Sequence, residues 1–597
     1  MRVLKAILAG ALLGATSAED NVCSEEDGTC SAGQVLLQRK AGTVRNMVFA
    51  EDSIEATLGA QVVIHEGSDV HLHGRGDWVI TAKDCTQEDL DKLKEDMPAG
   101  TKAKFTGHPA TGGLCIFKME GTEEDVREEI KRHPYLVEAI AESDVTWYAI
   151  PETDKAEKKD GTHDPAALLQ EDGSQANPPW GLDRVDDRAG LDKDYKASTG
   201  TGNGAHVYVL DTGIRTTHSD FEGRAVPTLE VLGDTPKVCA SDDTTCANDP
   251  VSGHGTHCAG TIGGKKYGVA KEATLHAVKV LADNGGGSFS WFTEAIDWVV
   301  SNGVKPAIIS ASLGGRAKLA SVNRAIQKAT EDGVVVVVAA GNEGDSNVPD
   351  ACEYSPANAP DAITVGSTTS TDSRSGFSNI GKCLDIFAPG SSITSAGHRG
   401  DSAEATMSGT SMACPHVAGG AALLMGEDKS RTAKDVLDLL LARSTKNAIG
   451  DAKAESPNAL LYTGKDTHTS PPTPAPAPLP NGWEFTGDCE PAENGRCIQS
   501  KNYGVSDYGA NERCNIKVDG GLGSISAIGT FKTEDGYDKL FIDGEEFHGD
   551  KKPAAVVPTQ GIEWISDDSI QASGWKICKD STTPVVPTPA PVVPTPA

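Results

Sequence analysis

Positive charge is in short supply in this 597-residue chain: 54 lysines and arginines stand against 86 aspartates and glutamates, a formal net charge of −32. Such a surface repels phosphate backbones, which argues against nucleic acid as a partner. None of the 14 cysteines forms a Cys-x-x-Cys pair, so zinc ribbons and thioredoxin-type redox sites have no support. No Asn-x-Ser/Thr acceptor occurs, so N-linked glycans are not expected. Beyond the N-terminus no apolar run is long enough to cross a bilayer, and no hydrophobic C-terminal tail offers a lipid anchor. What is present is a glycine-rich, 38% hydrophobic chain, too long for one core and expected to divide into roughly two to four domains.

The first 18 residues have the order of a secretory signal. Arg2 and Lys5 precede a short apolar run, and Thr16-Ser17-Ala18 forms a small-residue cleavage site. Export is therefore expected, and with it disulfides. Residues 19–69, with Cys23 and Cys30, read as an extension. Residues 70–150 alternate strand, helix, strand, helix and strand, as in a small α+β sandwich in which Cys85 and Cys115 are candidates to pair. A charged linker covers 151–174. From 175 to 465, β-branched runs such as Val207-Tyr208-Val209-Leu210 and Val334 to Val338 alternate with amphipathic helices. That pattern implies an α/β domain with a parallel sheet flanked by helices. A Pro-rich linker (466–480), an all-β domain (481–580) and a Pro-rich tail (581–597) complete the chain.

Three segments carry chemistry. Asp211 follows the strand Val207–Leu210 and precedes Thr212-Gly213. His254 sits in Gly253-His254-Gly255-Thr256-His257-Cys258-Ala259-Gly260, and Ser411 in Gly409-Thr410-Ser411-Met412-Ala413. A serine hydroxyl needs an imidazole to take its proton, and the imidazole needs a carboxylate to fix its tautomer. The order Asp, His, Ser is that of subtilisin and differs from the chymotrypsin and α/β-hydrolase orders. Singly, each segment reads as a turn; together they form an acyl-transfer set. His218, His257 and His416 are read as structural, and Cys258 and Cys414 as small buried residues beneath the site. Cys239 and Cys246 are read as a loop disulfide.

These blocks resemble the three signature segments of subtilases, proteinase K branch, over roughly Trp180 to Gly450. The resemblance implies a subtilisin-like fold and a serine endopeptidase of broad specificity acting on proteins or peptides, with no cofactor required for chemistry. It implies an oxyanion donor at Asn342, after Ala339-Ala340-Gly341, which would themselves bind substrate. Substrate-binding strands would fall at Asn284-Gly285-Gly286-Gly287 and Ser312-Leu313-Gly314-Gly315, acting by β-augmentation. It also implies a structural calcium on Pro360, Ala362 and Asp385, and a Cys352–Cys383 bridge. On the same likeness, 70–150 is an inhibitor-type propeptide ending near Trp147–Pro151, whereas the mature start falls near Ser174-Gln175-Ala176-Asn177.

The 481–580 region looks like a CUB-type sandwich, with Cys489, Cys497, Cys514 and Cys578 as bridge candidates and a glycan or protein surface as its ligand. It lacks the cysteine usual before the Tyr537-Asp538 strand. Asp538 and Asp567 are read as calcium ligands or as solvated turn residues. Arg75-Gly76-Asp77, and His65, His71 and His73, are read as chance matches to adhesion and metal motifs. The alternative reading of the whole chain is an adhesion or matrix protein with vestigial catalysis, acting through the CUB-like domain.

Overall fold

Two threonines open the helices of the N-terminal module. Thr86 and Thr122 each accept from the backbone N–H three residues on, while Asp89 and Asp125 accept from the threonine N–H groups. The computed structural model describes residues 60–149, 156–158, 174–464 and 484–579, apart from short gaps within those ranges. The expected signal peptide, most of the 19–69 extension, the linker at 466–480, the 581–597 tail and Asp567 lie outside the described residues.

The module comprises β1 (Gln61–Val63), α1 (Asp69–His73), β2 (Gly76–Thr81), α2 (Gln87–Glu95), β3 (Lys102–Thr106), β4 (Ile116–Gly121), α3 (Glu123–Arg132) and β5 (Ile140–Ser143). Its sheet order is β1-β5-β2-β4-β3. Leu90, Leu93, Val126 and Ile130 of the helices pack on Trp78, Ile80, Phe117 and Met119. Three strands and two helices match the sequence reading. β1 and β3 escaped it: β1 is short and half-exposed, and β3, Lys-Ala-Lys-Phe-Thr, is interrupted by a bulge between Ala103 and Phe105. β1 also draws part of the supposed extension into the module. β6 (Thr146–Ala149) leaves the sheet, and β7 (Ala156–Lys158) follows.

The next region begins with the short pair β8 (Gln175–Ala176) and β9 (Asp194–Tyr195) around α4 (Trp180–Val185). There follow β10 (His206–Asp211), β11 (Ala225–Glu230), β12 (Lys237–Val238), α5 (His254–Gly263), β13 (Thr274–Lys279), β14 (Gly286–Ser288) and α6 (Phe289–Asn302). Then come β15 (Ala307–Ala311), β16 (Leu313–Gly314), α7 (Ala320–Glu331), β17 (Val335–Ala339), β18 (Ile363–Thr368), β19 (Ile386–Pro389), β20 (Ile393–Ala396) and β21 (Glu404–Met407). α8 (Thr410–Glu427), α9 (Ala433–Arg443), β22 (Thr445–Lys446) and β23 (Ala459–Leu460) close the region.

Ten strands form one sheet, ordered β12-β11-β13-β10-β15-β17-β18-β19-β23-β22 and parallel except at its two ends. Alternate residues face opposite layers. Val207, Val209, Val335 and Val337 meet α5 and α8, while Tyr208, Leu210, Val336 and Val338 meet α6 and α7. The near-continuous apolar strands of the sequence follow from this burial on both faces.

The N-terminal module docks on α6 and α7 through three carboxylates. Glu142 accepts from Ala320 N at 3.1 Å, from Ser321 N at 2.7 Å and from Ser321 Oγ, and it takes His65 Nε2 at 3.1 Å. α7 has no side-chain cap of its own, so Glu142 satisfies its first N–H groups and complements its dipole. Asp144 accepts from Ser288 Oγ and from Ser290 N at the start of α6. From the other side, Asp297 of α6 accepts from His108 N at 3.1 Å and Leu114 N at 2.7 Å.

Residues 484–579 form a separate unit. The strands are β24 (Glu484–Gly487), β25 (Cys489–Ala492), β26 (Cys497–Ser500), β27 (Arg513–Lys517), β28 (Ile525–Ala527), β29 (Lys539–Ile542), β30 (Glu545–Phe547), β31 (Gly561–Ile565) and β32 (Lys576–Lys579). They form two antiparallel sheets, β24-β27-β31-β29-β30 and β25-β26-β32-β28, whose buried residues include Trp564, Trp575 and Ile577. Disulfides join Cys489 to Cys514 and Cys497 to Cys578. Elsewhere Cys85–Cys115, Cys239–Cys246 and Cys352–Cys383 are bridged, and Cys258 and Cys414 are buried thiols. Cys23 and Cys30 lie outside the described residues.

Candidate active site

Asp211 is the last residue of β10, at the carboxyl end of the sheet, where open α/β folds build their sites. Its Oδ1 accepts from Thr212 N at 2.7 Å and stands 2.7 Å from His254 Nδ1. Both side chains are buried. Such a contact fixes the imidazole tautomer and ring orientation. His254 opens α5, and Gly255 N donates to Thr212 Oγ1 at 3.0 Å, so the aspartate turn and the histidine helix are pinned together.

Ser411 lies in the first turn of α8, where the helix dipole favours developing negative charge. Its Oγ donates to the Ser312 carbonyl at 3.3 Å. Its own carbonyl accepts from Ser312 Oγ at 2.9 Å and from Cys258 Sγ at 3.4 Å. Cys258 is one helical turn beyond His254, so Ser411 is held beside the histidine helix. Asn342 Oδ1 accepts from Thr410 N and Thr410 Oγ1, both at 2.9 Å, which fixes the amide next to Ser411.

The segments expected to bind substrate converge on β6. That strand lies between β14 and β16, antiparallel to both, with Gly286 and Gly314 opposite Tyr148, Gly287 opposite Trp147 and Leu313 opposite Ala149. Ala149 N donates to Gly285 O at 2.7 Å. Asn284 shapes the turn before β14 by accepting from Gly286 N. Trp147 is buried against Phe289 and Phe292. It also covers Gly315, where a Cβ would stand 2.8 Å from Trp147 Cδ1. Beside it a cavity of about 300 Å³ opens between Gly314, Ala339, Ala340, Gly341, Tyr354 and Glu343, large enough for a bulky side chain. Gly341 has φ of 103°, a left-handed conformation that suits glycine at the turn leading to Asn342.

The remaining histidines and thiols behave as framework. His218 Nε2 meets Ala403 O at 2.9 Å, His257 Nε2 meets Ile393 O at 3.0 Å and His416 Nδ1 meets Met412 O at 2.8 Å. Burial pushes His257 down to about 3 and His416 down to about 4, and the Cys414 thiol up to about 12, which keeps all three neutral. His65 is taken by Glu142, and Asp538 accepts from Tyr508 Oη at 2.5 Å.

The subtilase family matches residues 202–459. The chain belongs to it. An extracellular serine proteinase of Thermus sp. (strain Rt41A) is 50% identical over 290 residues, 48% of this chain and 67% of that one. Alkaline serine exoprotease A of Vibrio alginolyticus is 42% identical over 359 residues, 60% of this chain and 64% of that one. Subtilisin-like protease 1 of Pseudogymnoascus destructans is 44% identical over 292 residues, 49% of this chain and 69% of that one. This subtilase is thus a serine endopeptidase, and no cofactor enters the family's chemistry.

Two subtilase residues at the site escaped the sequence reading. Asp249 accepts from Gly253 N at 2.9 Å, Thr256 N at 3.1 Å and Thr256 Oγ1 at 2.8 Å, and so sets the start of α5. Lys279 Nζ donates to Thr212 O and, at 2.9 Å, to Asp283 Oδ1, behind the Asp211 turn. Their partners are backbone or loop atoms brought together only by folding; the lone signal for Asp249 was its place just before the histidine block. As for a cation, among the described residues Asp385 is held by one donor, Thr364 N at 2.8 Å, and burial pushes its carboxyl up to about 7. A buried carboxylate so poorly compensated fits the calcium expected with Pro360 and Ala362. Asp183, Asp187 and Asp192 form a second set, each offering an oxygen within 4.8 Å of the others.

Proposed function

We propose that this subtilase is a secreted endopeptidase, made as a zymogen, whose catalytic residues are Ser411, His254 and Asp211. Ser411 Oγ attacks the peptide carbonyl and passes its proton to His254, which delivers it to the departing amine. Asp211 orients the imidazole and stabilises its cation. Asn342 and the Ser411 N–H donate to the tetrahedral oxyanion. Water then releases the acyl group by the reverse path. The observation that carries this reading is the 2.7 Å Asp211–His254 contact beside the Ser411 turn.

Substrate would enter as β6 does, extended between β14 and β16. Backbone pairing of that kind tolerates many side chains, so broad specificity follows. Because β6 belongs to the chain itself, the N-terminal module would inhibit the enzyme until the chain is cut beyond Ala149. Calcium on Pro360, Ala362 and Asp385 would stiffen the fold, with no part in bond breaking. Secretion is supported by the Thermus relative's extracellular description and by the absence, among the described residues, of any helix able to span a membrane. Labelling with a fluorophosphonate tests the assignment: processed protein should be captured at Ser411 and the Ser411→Ala variant should not. Failure of processed protein to label would leave the C-terminal unit as the seat of function.

A further inference from the structure

Two strands of the same chain flank Ser411. β6 occupies the slot between β14 and β16 and ends at Ala149. β7 pairs antiparallel with β21 in the register Ala156 to Thr406, Glu157 to Ala405 and Lys158 to Glu404. The other edge of β21 is taken by β20. β21 runs toward Ser411, which follows Met407 by four residues, so β7 runs away from it. The chain thus enters along β14 and β16 and departs along β21, in the one polarity that a cleavable polypeptide must have.

We propose that the edge of β21 at Glu404–Thr406 is a second substrate-binding strand, which holds a polypeptide on the leaving-group side of the scissile bond by backbone pairing. It would take residues seven to nine positions beyond the one in Ala149's place, the spacing from Ala149 to Ala156 and Lys158. The edge is prepared for this. Glu404 is held by Lys266 Nζ at 2.6 Å and by Tyr267 Oη, so its charge is anchored to the body rather than thrown across the strand edge as a guard. Thr406 Oγ1 meets Thr394 Oγ1 at 2.9 Å across the β20–β21 hairpin, which braces the strand. An unguarded, braced edge is what strand addition requires. The occupant is then a long, locally unfolded protein chain, and a short peptide would miss half of the recognition.

The proposal rests on the endopeptidase reading above, and the test separates the two. Secreted enzyme, sequenced to confirm that its N-terminus lies beyond Lys158, is given two fluorogenic peptides with the same acyl side. One stops about three residues beyond the cut and the other about ten. The long peptide should show kcat/KM higher by about tenfold, the worth of a few backbone hydrogen bonds. N-methylation of the three residues expected on β21 should remove that gain. Equal rates for the two peptides overturn the edge assignment while leaving the chemistry intact, and so does a gain that survives N-methylation. Cleavage of neither peptide sinks the endopeptidase reading and the edge assignment with it.

Discussion

His108 of the N-terminal module gives its Nδ1 to Asp297 Oδ2 of α6 at 2.6 Å, and the same carboxylate receives two backbone N–H groups of the 108–114 loop. The hydrogen bond to Asp297 raises the imidazole's pKa above its ordinary 6.5. Asp91, Lys94, Lys104, Asp234 and Glu294 line the same recess. The proton is therefore held more tightly when the module is docked. The pair's contribution is full below the ordinary pKa and is lost as pH rises through the raised one. The ring is half-exposed, so solvent screening limits the effect to about 1.5- to 5-fold in affinity. Release of the module from the full chain after processing should accelerate from pH 6 to pH 8, and His108→Gln should flatten that dependence.

Trp147 is the deepest anchor of β6. Replacing it with alanine empties the recess between Phe289 and Phe292, at a cost of about 3–5 kcal/mol if the walls do not collapse. Trp147→Ala chains should release active enzyme earlier, read as a shortened lag in activity after secretion.

Asn342→Ala should leave substrate binding intact and slow the chemical step. In subtilisin, the loss of one oxyanion donor costs about 10²–10³ in kcat. Steady-state kinetics should show kcat falling by that order with KM little changed. The variant also loses the Thr410 contacts, so its melting temperature should fall, and kcat is compared well below that temperature, where both proteins are folded.

Asp249→Ala tests a positioning role. The buried start of α5 would lose three hydrogen bonds, with a cost of about 1–3 kcal/mol for the donors left unmet. We expect a lower melting temperature and a lower kcat with little change in KM. If stability alone falls, Asp249 is merely structural.

Chelation should lower the melting temperature without altering the chemistry. Calcium at a hundred times its dissociation constant would add about 2.7 kcal/mol. Asp385→Asn should abolish the part of the EDTA effect that belongs to this site, as read by scanning calorimetry with and without added calcium.

The fold was legible where burial imposes a pattern. Val334 to Val338 and Val207 to Leu210 announced strands covered on both faces, and the two polar helix patterns of the N-terminal module announced its main helices. β1 and the short edge strands were not legible, because two or three residues carry no period, and the bulge in β3 breaks its alternation. Asp211, His254 and Ser411 were legible because their glycine-rich neighbours make long motifs. Asp249 and Lys279 were not, since each works largely on backbone atoms that only folding brings within reach.

The sequence by itself determined which reactive side chains exist, their order, and the acidic character of the chain. Tertiary structure decided what those side chains meet. It set Asp211 against His254 across 43 residues of chain, placed β6 between β14 and β16, and laid β7 along β21. Motifs are local and survive as text, whereas a strand's partner depends on which edge remains open once every other strand has paired.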